Sequence, residues 1–210
     1  MDPSGKNELL SVYSIDTSAD YCLDYDVPGE TCVTSDAIDW FSDQLNVYSH
    51  SHTMRDFVFM HKPVPEFMNL ANLYEISGHK QQAIGCHAIN TGLFSAALDT
   101  RKVVWMNAGF DADNDFSGRY NNEMMFTYAR KSGYGGKGNL PRGARVIRLS
   151  ESGEKLAGIS YVIEWSTGER STDMHQQAPP NFGFSRQTQC SVDPFATMFE
   201  TVLSPDFITQ

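Results

Sequence analysis

With 210 residues, 40% of them apolar and 12% aromatic, the chain can bury a core of its own and is too apolar to be a disordered segment. Its 16 basic and 26 acidic residues leave a formal charge of −10, which opposes attraction to nucleic-acid backbones and to anionic lipid. No apolar run approaches the roughly eighteen residues that span a bilayer, and the opening MDPSGKNELL has no basic segment ahead of an apolar one. The expectation is a cytoplasmic chain with neither nucleic acid nor membrane as a partner.

In chain order, Leu9 to Ile15 (LLSVYSI) reads as a buried strand. An acidic loop with a Pro28-Gly29 turn follows. Thr34 or Ser35 then caps an amphipathic helix in which Ile38, Phe41 and Leu45 recur at helical spacing, with Trp40 at the edge of its buried face. His50 and His52 stand on a polar connector, where imidazoles are solvated rather than metal-bound. Asp56 to Met60 is a second strand, and it presents His61 at the carboxyl edge of a sheet because Pro63 and Pro65 stop further pairing. A helix through Phe67, Leu70 and Leu73, a connector over Gln81 to Ala88 and a short helix over Leu93 to Leu98 come next.

Val103 to Met106 is the third strand, ending in the loop Gly109-Phe110-Asp111-Ala112-Asp113-Asn114-Asp115-Phe116. Glu123 to Tyr128 has strand character. The glycine-rich stretch Ser132 to Gly138 lacks P-loop or dinucleotide spacing and reads as tight sheet turns. Ala144 to Leu149 and Ile159 to Trp165 are two further strands joined at Ser152-Gly153. The strand–helix–strand order predicts an α/β layered domain over residues 1–170, with residues 171–210 a tail that wraps the domain or a partner. Within that tail, Phe195, Met198, Phe199 and Val202 have helical spacing. The four cysteines show no C-x-x-C spacing; Cys22 could pair with Cys32, but a cytoplasmic chain implies free thiols.

Several segments, taken together, resemble a known family. His61-Lys62-Pro63-Val64-Pro65-Glu66-Phe67 matches H-x-P-x-P-E-[FY], Asn90-Thr91-Gly92-Leu93-Phe94 matches N-[ST]-G-L-F, and Gly133-Tyr134-Gly135 with Arg142-Gly143-Ala144-Arg145-Val146-Ile147 match a G-[FY]-G turn and R-x-A-R-V-I. In this order they resemble the carboxyl-terminal half of the calcineurin-like metallophosphoesterases, in the purple-acid-phosphatase-like branch that includes members described as inactive. The resemblance runs from about Leu9 to Trp165. It implies the carboxyl-terminal part of a four-layer α-β-β-α sandwich, with the amino-terminal metal-binding half missing.

The resemblance also implies two divalent metal ions, one held through His61. Where the family has G-H-D-H-x-N-D-F, however, this chain has Gly109, Phe110, Asp111, Ala112, Asn114 and Asp115 at the corresponding places, so both histidines are gone. Hydrolysis by two metals needs ligands that hold both ions a few ångströms apart. A lone His61 is a relic ligand position, and no cofactor is expected. Asp111, Asp113 and Asp115 have the first, third and fifth places of a calcium loop, but Phe116 stands where glycine is needed and Asn122 where a bidentate Glu is needed. They read as solvated acids retained from the ancestral loop.

A half-fold leaves a sheet face and strand edges for something else to cover. The expected function is therefore a non-catalytic interaction subunit, a pseudophosphatase whose exposed face meets another protein or a large assembly. The alternative is a metal-dependent phosphoesterase, or half of a split one completed by another chain. A third option is a phosphate- or nucleotide-sensing module that uses the glycine turn and Arg142.

Overall fold

Successive side chains of a strand point to opposite faces, which gives the sheet two unlike faces: Leu10–Ile15 alternates between buried and open at its carboxyl end, while the central strands Arg55–Met60, Val103–Ala108 and Met124–Tyr128 are buried over most of their length. The computed structural model describes residues 9–17, 21–22, 25–26, 32–47, 55–87, 89–152, 155–171, 176–179 and 186–190. In chain order the elements are β1 (Leu10–Ile15), β2 (Tyr21–Cys22), β3 (Tyr25–Asp26), α1 (Ser35–Val47), β4 (Arg55–Met60), α2 (Glu66–Leu73) and β5 (Ile76–Ser77). These are followed by α3 (Leu93–Asp99), β6 (Val103–Ala108), β7 (Ser117–Tyr120), β8 (Met124–Tyr128), β9 (Gly143–Ser152), β10 (Lys155–Glu164) and β11 (Gln176–Gln177).

Seven strands form one mixed sheet in the order β1-β4-β6-β8-β7-β5-β11, while β9–β10 and β2–β3 are separate antiparallel pairs. Strands β1, β4, β6 and β8 run parallel, so their carboxyl ends meet at one edge, where the chain presents His61, Gly109 and Ala129. One face carries Tyr13, Val58, Met60, Met106, Phe126 and Tyr128 into a core shared with Phe41 and Leu45 of α1, Phe67 and Leu70 of α2, and Leu93 and Ala97 of α3. Phe67 stacks on Phe126 at 4.7 Å between ring centroids and meets Tyr128 edge-on at 5.2 Å.

Helix α1 begins as its sequence predicts: Thr34 Oγ1 accepts from the Ala37 amide at 3.3 Å, and Asp36 lies in the first turn, where the helix dipole favours an acid. Trp40 is half-exposed, at the edge of the buried stripe. Helix α3 follows Gly92 at φ 100°, a turn closed by Asn90 Oδ1 accepting from the Gly92 amide at 3.1 Å. That pair explains the Asn-Thr-Gly motif as turn chemistry.

The opposite face bears Phe57, Phe59, Trp105, Asn107, Met125 and Thr127, and the β9–β10 hairpin covers only part of it. Trp105 is buried beneath the hairpin, whereas Val12 is 59% and Phe59 38% exposed. The fold is mixed α/β around a large sheet; among the described residues no second large sheet covers this face. On one side of β1 lies β4; the other edge has no strand among the described residues.

The structure adds two features to the expected outline and corrects one expectation. First, β5 and β7 were not legible: β5 has two residues, and β7 is the polar, half-exposed SGRY, so neither shows an apolar period. Second, the cysteines are not free thiols. Cys86 and Cys190 form a disulfide across 104 residues, and Cys32 is disulfide-bonded too; this removes the thiol argument for a cytoplasmic chain, since disulfides persist in oxidising compartments. The side chain of Cys22 lies outside the described residues. Third, described segments of the carboxyl-terminal stretch, which the sequence expects to wrap the domain or a partner, bond to the domain. Gln176 and Gln177 pair with Ser77 and Ile76, and the Gln187 side chain accepts from the Ile84 amide and donates to its carbonyl, both at 2.8 Å. The predicted connector histidines His50 and His52, and the stretch from Phe195 to Val202, lie outside the described residues.

Candidate functional site

Strand β4 ends at Met60, β6 at Ala108 and β8 at Tyr128, which sets His61, the Gly109 to Phe116 loop and Arg130 side by side. The Gly109 amide donates to the His61 carbonyl at 3.0 Å and the Ala129 amide to that of Ala108 at 2.8 Å, extending the ladder one residue past the strands. A cleft of about 320 Å³ opens here, lined by His61, Gly109, Phe110, Ala112, Lys131 and Gly133 among others. This is where ligands bind in open α/β sheets.

Phe110 and Ala112, where the resemblance puts histidines, are packed against protein. Phe110 adopts a left-handed backbone at φ 69°, unusual for a bulky residue. Its ring stands edge-on to His61 with centroids 5.5 Å apart, and the Lys62 ammonium lies 5.5 Å from its centre. On another side the ring rests on Gly85, where an added Cβ would come within 2.4 Å of Phe110 Cε1 and 2.9 Å of Asp111 Oδ1. Gly85→Ala is therefore expected to cost about 1–3 kcal/mol by overpacking, measurable as a shift in the urea midpoint with an unchanged m-value. Ala112 sits beneath Gly138 of the glycine-rich turn, where a Cβ on that glycine would lie 2.8 Å from the alanine methyl. Neither Phe110 nor Ala112 has a ligand atom to offer.

The acids are bound by the protein rather than by solvent, which corrects the expectation of a solvated loop. Asp111 is 4% exposed and accepts from Tyr128 Oη at 2.6 Å, from the Gly85 amide at 3.1 Å and from Gln82 Nε2 at 3.1 Å. Burial raises its carboxyl pKa, and these hydrogen bonds oppose the rise. Burial and the neighbouring Asp111 charge hold the Tyr128 hydroxyl well above its ordinary range, so it stays a donor. Asp115 is fully buried; it accepts from the His79 amide at 2.7 Å and from Arg130 Nε at 2.8 Å, and pairs with Arg130 Nη2 at 2.5 Å. His79 Nδ1 lies 2.9 Å from the same carboxylate.

Asp113 Oδ1 accepts from the amides of Asn139 and Leu140, and Asn114 Oδ1 accepts from the amides of Gln81 and Gln82 at 3.1 and 3.2 Å. The three acids thus point to three different sets of donors, so their spacing does not build a calcium loop. Among the described residues no group of three or more His, Cys, Asp or Glu side chains is placed to hold a metal ion.

The second motif has the same structural character. Arg142 donates to the carbonyls of Leu140 and Gly138 at 3.1 and 3.0 Å and so closes the glycine-rich turn, using two of the guanidinium's N–H donors for structure. Gly143 lies so near β10 that a Cβ would stand 2.2 Å from the Ile163 carbonyl oxygen. Arg145 donates to the carbonyls of Tyr128 and Asp115 and, at 3.2 Å, to Ser160 Oγ, tying loop, sheet and hairpin together. Burial lowers its pKa to about 10, which leaves it charged.

Sequence reasoning placed His61 and the loop correctly at one edge and missed His79, Gln82, Tyr128 and Arg130. These come from segments up to 36 residues from their acidic partners, and no local spacing signals such pairing.

Compared with known proteins, the chain is similar to a probable inactive purple acid phosphatase 14 from Arabidopsis thaliana, with 26% identity over 156 residues. The match covers 67% of this chain and 39% of the relative, so the chain spans about two-fifths of that protein. No family model and no solved structure matches. The similarity supports a metallophosphoesterase-like relationship at a coarse level.

Proposed function

We propose that this chain is a non-catalytic interaction subunit, a pseudophosphatase whose fold derives from the carboxyl-terminal part of a four-layer metallophosphoesterase sandwich. The observation that carries this reading is Phe110, whose ring packs on His61 and Gly85 at a position where the resemblance puts a metal-ligating histidine. Loss of the second histidine at Ala112, and the use of Asp111 and Asp115 to hold the connector over residues 79–87, point the same way. A dinuclear metal centre does not fit these residues. The name of the Arabidopsis relative, which calls that protein inactive, agrees with the reading.

Interaction is supported by the half-covered sheet face. Val12 at 59% and Phe59 at 38% exposure stand on the face opposite the helices, and exposed apolar surface of this kind marks binding sites. Another protein, or a large assembly, covers it. The disulfide between Cys86 and Cys190 supports an oxidising compartment for this encounter.

The isolated chain is expected to bind a hydrophobic dye, and a Val12→Lys, Phe59→Lys double substitution is expected to remove most of that signal while leaving the unfolding midpoint nearly unchanged. A well-folded monomer that binds no dye would overturn the interaction role.

A further inference from the structure

The β9–β10 hairpin has an outward face of its own. Register sets Val146 opposite Tyr161 and Arg148 opposite Ile159, and directly opposed residues of an antiparallel pair share a face. The alternate residues, among them Gly158 beside Trp105 and the fully buried Val162, turn toward the seven-stranded sheet. Val146, Ile159, Tyr161 and Ile163 therefore stand on the side away from the core. Ile159 is 53% exposed, and the other three are half-buried. An antiparallel pair with one face on a core carries polar residues on a face open to water, and this apolar stripe departs from that pattern.

Its charges are just as one-sided. Arg148 is exposed beside the stripe, and the exposed Arg170 lays its guanidinium over the Tyr161 ring, 3.8 Å from the ring centre. Neither guanidinium forms a hydrogen bond or ion pair among the described residues. Stacking restrains Arg170 while leaving its N–H edge open to a carboxylate. Glu151 and Glu164, the acids within the two strands, belong to the inward set, and Glu164 lies 3.7 Å from Arg130. In a chain whose formal charge is −10, this face holds two unpaired cations and no acid of its own strands.

We propose that this face is a docking surface for an acidic amphipathic helix of a partner protein, its apolar stripe on Ile159, Tyr161 and Ile163 and its carboxylates at Arg148 and Arg170. A helix is a regular cover for an apolar sheet face, and anchors at i, i+3, i+4 and i+7 give it one continuous stripe. Charge complementarity selects a short acidic segment over an anionic membrane. Screening confines electrostatics to about 8 Å, so a helix meets the two arginines, whereas a charged membrane surface opposes the whole molecule. This docking surface rests on the interaction role proposed above and adds to it a second surface, separate from Val12 and Phe59, with a partner chemistry.

Fluorescence anisotropy of the full chain with a labelled synthetic helix of about 15 residues, leucine at the anchor positions and glutamate beside them, tests this. Saturable binding is expected, with a dissociation constant on the order of 100 μM or tighter that weakens as salt is raised. Arg148→Glu and Arg170→Glu should each weaken it by about tenfold or more, the factor for a charge-assisted hydrogen bond. Arg119→Glu, an equal change in net charge at an exposed position on β7, should leave it within about twofold. All three are surface changes, and a nearly unaltered urea midpoint confirms their folding. No saturation, equal loss in all three variants, or binding to phosphatidylserine vesicles in preference to the peptide would each overturn the assignment. So would a chain that sediments as a dimer and dissociates with Arg148→Glu, which gives the face to a second copy. If the peptide fails while Val12→Lys, Phe59→Lys still removes the dye signal, this docking surface falls and the interaction role stands.

Discussion

Asp115→Asn is expected to lower unfolding stability by about 3–5 kcal/mol, the range for breaking a buried ion pair from one side. Asp115 is fully buried and Arg130 nearly so, with Nε at 2.8 Å and Nη2 at 2.5 Å from the carboxylate. An asparagine of the same size keeps the packing, yet leaves the buried guanidinium with only the more distant Glu164 carboxylate, 3.7 Å away, as counter-charge. It also weakens the hold on the His79 amide, and so on the connector. Asp113 provides the contrast. It is only half-buried, its carboxylate accepts from two neutral amides, and Asp113→Asn should cost about 1 kcal/mol. Urea unfolding of the two variants separates a structural anchor from a surface acid: equal losses would contradict the assignment of Asp115 as the anchor of the loop.

Removal of the Cys86–Cys190 bond should be comparably damaging. Its 104-residue separation corresponds to a chain-entropy contribution of about 4–5 kcal/mol, a large share of the roughly 5–15 kcal/mol that holds a domain together. The bond also fixes the stretch in which Gln187 brackets Ile84 and exchanges hydrogen bonds with Asn72 of α2. A Cys86→Ala, Cys190→Ala chain should unfold at a markedly lower urea concentration. A reductant should then destabilise this variant only by what the bond at Cys32 contributes. If the double variant matches the original chain in stability, the tail is not clamped as described.

Elements with a strong period were legible from the residues alone. The alternation in Leu10–Ile15 and the spacing of Phe41 and Leu45 each report a local geometry that a short window contains. The same holds for the placement of His61, which follows from a strand stopped by two prolines. What escaped depends on partners far along the chain. The loop acids read as solvated because their donors, Gly85, His79 and Arg130, lie in other elements. Cys86 finds Cys190 across the width of the sequence, and no spacing rule could nominate that pair over others. Arg142 looked available for phosphate, whereas in the structure it closes its own turn through two carbonyls.

Phe110 and Ala112 stand where the resemblance puts two histidines, a reading open only against a family pattern. Taken alone, GFDADNDF suggests a cation loop. The structure gives each polar residue of that loop a mechanical task, and gives Phe110 the place beside His61.

Metal stoichiometry tests the central claim most directly. The purified chain, equilibrated with iron, zinc or manganese and then freed of unbound ion, should retain far less than one metal per chain. Its hydrolysis of a phosphate monoester should match that of a His61→Ala control. Two tightly held ions per chain, with a metal-dependent rate abolished by His61→Ala, would contradict the pseudophosphatase account and restore the chain, or the complex it completes, as an enzyme.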